Sequence, residues 1–201
     1  MFYRPEDGHG LPHNPFNALI TPRPIGWISS RDTEGINNLA PYSFFNGVAY
    51  FPPQIMFAST GTKPDQDNTK DSVANITATR VFCVNVVAFA AQDAMNTSSA
   101  TFEKDVDEFE RAGLSSLECE TIDCARIAGA PAALECKLTK IVDLPGAANR
   151  VVFGEVVGIH ISDDILTNGM VDITKYHPLA RMGYRDYATV KEVFTLMRPD
   201  D

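Results

Sequence analysis

The sequence contains none of the short motifs that mark the common classes of catalytic site. Its 201 residues include no G-x-S-x-G, H-E-x-x-H, G-x-x-x-x-G-K-[ST] or G-x-G-x-x-G pattern. Hydrolysis and phosphoryl transfer are therefore poor assignments. No side chain stands out as a nucleophile. The protein therefore either relies on a bound cofactor for its chemistry or only binds a ligand.

Cysteine and histidine are too few and too scattered to predict a metal site. The four cysteines, Cys83, Cys119, Cys124 and Cys136, form no C-x-x-C pair, and two of them lie in apolar, strand-like runs. In such runs a cysteine packs as a small hydrophobic residue. The four histidines, His9, His13, His160 and His177, have no ligand spacing. We predict buried free thiols and no zinc.

Long apolar runs and positive charge are also scarce. No stretch approaches the roughly 18 apolar residues of a membrane-spanning helix, and the start, MFYRPEDGHGLPHNPF, has charges and turn residues where a signal peptide needs an apolar run. We expect a cytoplasmic protein without a membrane partner. With 17 Lys+Arg against 26 Asp+Glu the net charge is -9, so nucleic acid is not an expected partner. A bound anion needs a local arrangement of donors.

Strand-like patterns outnumber helical ones along the chain. They cover residues 25–29, 54–60, 81–88, 132–142, 151–161 and 188–196, whereas helical spacing covers only 72–79 and 103–112. The helices are too short and too few to cover both faces of a parallel sheet. The pattern favours a mostly β protein, a closed or nearly closed antiparallel barrel with a few short helices. Residues 1–24 are predicted to form an N-terminal arm, and residues 25–201 a single domain.

Glycines interrupt the apolar pattern of the segment 151–161. Gly154 and Gly158 stand where side chains would otherwise face a sheet surface. A glycine inside a strand often marks a bulge, a tight barrel corner or the close approach of another backbone. We expect one of these features here.

Polar residues concentrate in the segment 21–46, among aromatic ones. Taken singly, each is best explained as a turn or edge residue that bonds its own backbone. Together with the aromatic residues they predict a pocket for a flat, mostly apolar ligand with many hydrogen-bonding edges. The polar members are Arg23, Ser29, Ser30, Asn37, Asn38, Ser43 and Asn46, and the aromatic ones are Trp27, Tyr42, Phe44 and Phe45. For Trp27, core packing and ligand contact remain equally open.

The stretch TKDSVANI, residues 69–76, has the composition of a helix start. The first N–H groups of a helix have no partner within it, and Lys70 and Ser72 beside them would suit a phosphate or carboxylate. The alternative is simple capping by Asp71 or Ser72, with Lys70 in solvent. The eight residues alone favour capping over anion binding.

The run NPFNALITPRPIGWISSRDTEGINNLAPYSFFNGVAYFPP, followed by KDSVANI and RMGYRDY, closely resembles the flavin reductase-like, FMN-binding split-barrel family. The resemblance covers most of the chain and is most specific in the first run. It implies a Greek-key split barrel, a homodimer, and FMN held non-covalently near the subunit interface.

The resemblance also implies roles for individual residues. By this likeness, Ser59, Thr60, Lys70 and Ser72 would bind the flavin phosphate, and Ser29 and Ser30 would lie along the ribityl chain. Asn38, Ala40, Pro41, Tyr42, Ser43 and Asn46 would contact the polar edge of the ring, and Arg181 would lie near the cofactor. A dianionic phosphate would gain charge-assisted bonds from Lys70 and stabilisation at the helix start, which now favours phosphate binding over capping. Asp71 would repel the phosphate, so we expect it to act as the N-cap or to pair with Lys70.

The function that follows from the resemblance is an NAD(P)H:flavin reductase. Such an enzyme takes hydride from transiently bound NADH or NADPH, needs no side-chain nucleophile, and can supply reduced flavin to a partner oxygenase. One alternative is an FMN-binding or electron-transfer protein that never uses a nicotinamide. Another is a colourless binding module for a different phosphorylated ligand.

Overall fold

The computed structural model describes residues 1–63 and 69–199. The strands in chain order are β1 (Arg23–Pro24), β2 (Gly26–Arg31), β3 (Asn37–Tyr42), β4 (Phe45–Tyr50), β5 (Pro53–Ser59), β6 (Val81–Val86), β7 (Ser116–Glu118), β8 (Ala125–Ile127), β9 (Ala132–Leu144), β10 (Asn149–Ile161), β11 (Leu166–Thr167), β12 (Met170–Val171), β13 (Leu179–Arg181) and β14 (Tyr187–Thr189). The helices are α1 (Phe16–Leu19), α2 (Asp71–Thr79), α3 (Gln92–Thr97) and α4 (Glu108–Arg111). Single 3-10 turns cover Pro5–Asp7, Phe89–Ala91, Asp163–Ile165 and Ile173–Lys175.

One seven-stranded antiparallel sheet forms the body of the protein, in the order β3-β2-β6-β9-β10-β5-β4. Its two edge strands, β3 and β4, follow one another in the chain, and β3 also contacts β5. The sheet therefore curls until its edges approach, without a ladder joining them. This arrangement confirms the predicted mostly β, split-barrel fold with a few short helices. A smaller sheet, β1-β13-β14, lies beside it.

Strand β2 has apolar side chains on both faces because it lies between two separate hydrophobic clusters. Successive side chains of a strand point to opposite faces. Ile28 packs inside the barrel with Phe57 and Phe82, whereas Trp27 packs on the outside with Phe109 and others. Trp27 is 1% exposed, and its Nε1 donates to Ser98 Oγ at 2.9 Å. Trp27 is thus a core residue.

The two glycines of β10 mark irregularities in its pairing with β9. The register shifts between Phe153 and Gly154 and again between Val156 and Gly158. A Cβ atom on Gly154 would lie 2.5 Å from the ring of Phe82, far inside contact distance. The expected bulge-like irregularity is confirmed, whereas the close neighbour of Gly154 is the side chain of Phe82 and not another backbone.

Two predictions of secondary structure were wrong in extent, and two strands were missed. The segment 188–196 is a strand only in its first two residues, the end of β14, and continues as an irregular tail whose apolar side chains are exposed, such as Phe194 at 84%. The helix predicted over 103–112 forms only in α4. β3 and β4 were missed, because strand preference depends mainly on packing against neighbouring strands. Their polar and glycine-containing sequences gave no such signal.

The cysteines are free thiols, as predicted; Cys83, Cys124 and Cys136 are buried and Cys119 is partly so. In residues 1–63 and 69–199, no group of three or more His, Cys, Asp or Glu side chains is placed to hold a metal ion. No helix within the same ranges is both long and apolar enough to cross a membrane.

The side chain of Glu135 on β9 is fully buried and binds the loop between β7 and β8 to the sheet through hydrogen bonds. It accepts hydrogen bonds from the N–H groups of Glu120 and Thr121 at 2.7 Å each, and it lies 2.5 Å from His160 Nε2. Burial by itself would raise the pKa of Glu135, but these donors and the Thr121 hydroxyl outweigh it and lower the pKa to about 2. Glu135 therefore acts as a structural anchor.

Candidate functional site

A cavity of about 740 Å³ lies between the N-terminal arm and the edge of the barrel. This volume is in the range of natural small-molecule sites. Its wall combines the arm, the β3–β4 turn, the end of β5, the start of α2, the α3 region and the segment around β13. The lining residues are Pro12, His13, Asn14, Asn17, Arg23, Ile25, Pro41, Tyr42, Ser43, Phe44, Ala58, Thr60, Lys70, Met95, Ser99, Arg181, Tyr184 and Tyr187.

The charge of this wall is opposite to that of the protein as a whole. Arg23, Lys70 and Arg181 line the cavity, and none of the described residues in its wall is Asp or Glu. The chain carries a net charge of -9, so a wall with three cations and no Asp or Glu among its described residues is a local exception. Such a wall attracts an anionic ligand.

Lys70 stands at the start of α2 as its N-cap residue, in an extended conformation. Its side chain is exposed, and its Nζ lies 5.9 Å from the centre of the Tyr42 ring. Asp71 begins the helix and pairs with Lys63 at 2.6 Å. The expectation that Asp71 would cap the helix or pair with Lys70 was therefore wrong. Because Lys63 neutralises Asp71, Lys70 faces the cavity without a carboxylate partner among the described residues.

A second, smaller cavity of about 120 Å³ adjoins the first, with Pro41, Tyr42, Lys70 and Ser99 in both walls. The hydroxyl of Tyr42 is buried and makes no hydrogen bond. Burial raises the pKa of Tyr42, and the nearby hydroxyls of Ser72 and Ser59 only partly oppose that shift. An unpartnered hydroxyl at the junction of two cavities offers a donor to a ligand.

The smaller cavity also exposes one end of a buried hydrogen-bond chain. Ser72 Oγ donates to Asn38 Oδ1 at 2.7 Å, and Asn38 Nδ2 donates to Glu108 Oε1 at 2.7 Å. The second carboxylate oxygen of Glu108 accepts from the N–H of Leu39 at 3.2 Å. Burial raises the pKa of Glu108 to about 7, with the negative charge of Asp71 adding to the effect and these donors opposing it.

Arg23 holds the arm in place. Its guanidinium donates to the carbonyls of Asn17 at 2.5 Å, Ile20 at 2.6 Å and Met182 at 2.9 Å, and it lies over the ring of Phe44. Burial, and then the charge of Arg181, lower the pKa of Arg23. Arg23 thus ties the arm to the β13 segment, where β1 and β13 also pair.

Arg181 lies on the same side of the cavity. It donates to the carbonyl of Tyr184 and stacks over the ring of Tyr187 at 4.5 Å from the ring centre. The ring of Tyr184 in turn meets that of His13 from the arm, edge to face, at 5.7 Å. No salt bridge joins Arg181 to a described carboxylate.

Most residues predicted for the cofactor come together here. Pro41, Tyr42, Ser43, Thr60, Lys70 and Arg181 line the large cavity, and Asn38, Ala40 and Ser72 line the small one.

Four predicted residues lie outside both cavity walls. Ser29 is fully buried and donates to the carbonyl of Ala125 at 2.6 Å, and Ser30 bonds Asn38 and Asn75 in the interior. Asn46 is exposed and accepts a bond from the N–H of Gly47. The fourth, Ser59, is buried beside the Tyr42 hydroxyl.

The wall also includes residues that the sequence did not single out as ligand-binding. They are Pro12, His13, Asn14 and Asn17 of the arm, Met95, Ser99, Tyr184 and Tyr187. The many prolines of the arm indicate an extended segment, but they do not indicate which surface of the protein that segment covers. The RMGYRDY run, which contributed to the resemblance, was the one signal for Tyr184 and Tyr187.

Known proteins are similar to this chain along most of its length. A family model described as "Flavin reductase like domain" matches residues 18–180. An uncharacterized protein of Aquifex aeolicus is 38% identical over 171 residues, which cover 85% of each chain.

Solved structures show the same fold. Nitrilotriacetate monooxygenase component B from Bacillus cereus superposes with a TM-score of 0.84 at 28% identity, covering 94% of this chain and all of its own. The 2-nitrobenzoate 2-nitroreductase NbaA of Pseudomonas fluorescens gives a TM-score of 0.80 at 31% identity, covering 92% of this chain and 88% of its own.

Proposed function

The chain belongs to the flavin reductase-like family, and from that premise we propose that it is an FMN-dependent oxidoreductase using NADH or NADPH. The observation that carries the proposal is the cavity beside α2, with its three cations, its aromatic wall and its lack of acidic residues among those described. The description of the family names flavin, and the arrangement around Lys70 supports the choice of FMN.

The residues present fit FMN. Lys70 and the N–H groups at the start of α2 would hold the phosphate, with the hydroxyls of Thr60 and Ser72 beside them. The unpartnered Tyr42 hydroxyl is a donor ready for a polar atom of the ligand. When bound, FMN supplies the hydride acceptor that the chain's own side chains lack.

The remaining wall residues would orient the ring and exclude water. The β3–β4 turn, with Pro41 and Ser43, offers backbone and side-chain hydrogen bonds for the polar edge of a flavin. The arm, held by Arg23, closes the opposite side of the cavity. The second cation on that side, Arg181, has donors left for the cofactor or for a negatively charged hydride donor.

The proposal predicts a yellow protein, or an apo form that takes up FMN. In stopped-flow experiments NADH or NADPH is expected to bleach the bound flavin much faster than free FMN. Bleaching no faster than that of free FMN would contradict reductase activity and leave the alternative, an FMN-binding or electron-transfer protein. A colourless protein that binds no flavin would contradict the flavin assignment itself.

We further propose that the enzyme supplies reduced flavin to a partner oxygenase. The supporting observation is the likeness, along almost the whole chain, to component B of a monooxygenase. Such a supplier has to turn over with excess free FMN, so NADH or NADPH consumption should continue for many cycles per protein. Consumption that stops after one cycle would contradict this role.

A homodimer is the assembly we propose. Tyr50 and Phe51, at the turn between β4 and β5, are 90% and 98% exposed, next to the half-exposed Val48. Exposed aromatic side chains of this size are stabilised when a second copy covers them. Light scattering is expected to give twice the chain mass of 22.0 kDa, and Phe51→Asp to shift the mass toward one chain. A single-chain mass for the unmutated protein would contradict the assignment.

A further inference from the structure

The buried chain of side chains that begins at Glu108 ends at Ser72, a residue proposed to hold the flavin phosphate. Glu108 is 6% exposed, Asn38 6% and Ser72 1%, and both hydrogen bonds between them measure 2.7 Å. All three residues line the small cavity and none of them lines the large one, which shares Tyr42 and Lys70 with the small cavity. The inference drawn from it rests on the proposed function.

The direction of these hydrogen bonds depends on the proton of Glu108. An ionised carboxylate can only accept, so Asn38 has to turn its Nδ2 toward Glu108 and its Oδ1 toward Ser72. A serine hydroxyl has a single hydrogen, and here it is used on Asn38. Ser72 then presents only lone pairs to a ligand in the cavity, and these repel the oxygens of a phosphate.

We propose that Glu108 is a positioning residue that sets the affinity for the flavin phosphate by reversing this chain when it takes up a proton. The protonated carboxyl donates to Asn38 Oδ1, and the amide turns over. Asn38 Nδ2 then donates to Ser72 Oγ and, with its second hydrogen, to Ser30 Oγ, which before the reversal donates to Asn38 Oδ1 at 3.4 Å. The hydrogen of Ser72 becomes free to donate to a phosphate oxygen. One proton enters at Glu108, and no covalent bond other than that O–H bond is made or broken.

The surroundings of Glu108 favour this protonation and the reversal of the hydrogen bonds. The N–H of Leu39 donates to Oε2, which leaves Oε1, the oxygen that faces Asn38, as the one to carry the proton. Burial already brings the pKa of Glu108 to about 7, so a small change in charge nearby alters its protonation. A phosphate at the start of α2 adds negative charge and favours the protonated form. The other titratable or charged groups bordering this site are Tyr42, Lys63, Lys70, Asp71 and the adjacent Asp107.

The test compares FMN and riboflavin binding to the apo protein in wild type and Glu108→Gln. Glutamine keeps an oxygen for the Leu39 N–H and presents Nε2 to Asn38 Oδ1, which fixes the chain in its reversed direction. At about pH 8.5 the variant is expected to bind FMN about tenfold more tightly than wild type, and at about pH 5.5 the two should be equal. Riboflavin, which has no phosphate, should show no difference at either pH.

Two further measurements separate this mechanism from general effects. The phosphate of FMN itself titrates near pH 6, but this cancels in the comparison of two proteins with one ligand. Ser72→Ala should remove the difference between wild type and Glu108→Gln. Calorimetry in buffers of different ionisation enthalpy should show proton uptake when wild type binds FMN at about pH 8, and this readout does not depend on the variant folding.

Equal FMN affinities of the two proteins at all pH values, or no proton uptake by wild type, would overturn the inference while leaving the proposed function intact. Absence of FMN binding to wild type at every pH would overturn both.

Discussion

Lys70→Ala is expected to weaken FMN binding by about 10- to 100-fold while changing riboflavin binding by less than about twofold. A charge-assisted hydrogen bond to a phosphate is worth about 1.5 to 3 kcal/mol, which corresponds to this loss. Lys70 is the cation beside the start of α2, and its charge is not engaged by Asp71, which pairs with Lys63. Its loss therefore removes attraction for the phosphate and little else.

The matched control is Lys140→Ala. Lys140 is an exposed lysine of β9 that lines neither cavity, so the same change of charge there should leave both affinities unaltered. Fluorescence titration of wild type and the two apo variants with both flavins measures all six dissociation constants. Equal losses for FMN and riboflavin in Lys70→Ala would show that the phosphate lies elsewhere.

Gly183→Ala should weaken FMN and riboflavin alike, by about tenfold or more. A Cβ atom at Gly183 would collide with the Cβ of Ala18 in α1 and would lie 2.7 Å from the Cα of the same residue. That Cα is a backbone atom, so no rotamer change relieves the clash, and the arm has to move. Asn17 and the residues before it would then leave the cavity wall, which in the proposed complex contacts the flavin as a whole and not its phosphate.

A glycine in open space provides the control for this variant. A Cβ atom on Gly47 in β4 would have no neighbouring atom within 4 Å, so Gly47→Ala should bind both flavins as wild type does. The melting temperature of Gly183→Ala should fall by only a few degrees. The clash involves neither the hydrophobic cluster inside the barrel nor the cluster around Trp27 on its outside. Unchanged flavin affinity in Gly183→Ala would mean that the arm is not part of the site. Together the two variants distinguish phosphate contacts from contacts with the cavity wall.

Much of the fold could be read from local patterns. β6, β9 and β10 are strongly β-branched or alternating segments, and their boundaries were predicted to within two residues. The strand β3 was not predicted, because its sequence is polar. Its residues contact Glu108, α2 and the candidate ligand cavity instead of a uniform apolar layer. In the tail after β14 a strand was predicted that does not form. The apolar residues there have no neighbouring strand with which to pair.

Some of the residues predicted for the candidate site line a cavity in the structure, and others do not. Lys70, Tyr42 and Ser43 lie in segments whose composition or resemblance pointed to ligand binding, and the structure brings them to one cavity. Ser29 lies in an equally suggestive segment, but its side chain points into the interior and bonds a backbone carbonyl. A shift of one position along a strand exchanges the two faces, and composition does not reveal which face a residue takes.

By itself the sequence determined the class of fold, the free thiols and a cation at the start of a helix, because each depends on residues close together in the chain. Only the tertiary structure decided which polar groups meet. Arg23 reaches Met182, and Asn38 reaches Glu108, across separations of 159 and 70 residues. Contacts between such distant residues follow from the curvature of the whole sheet and the path of the arm, which no local pattern encodes.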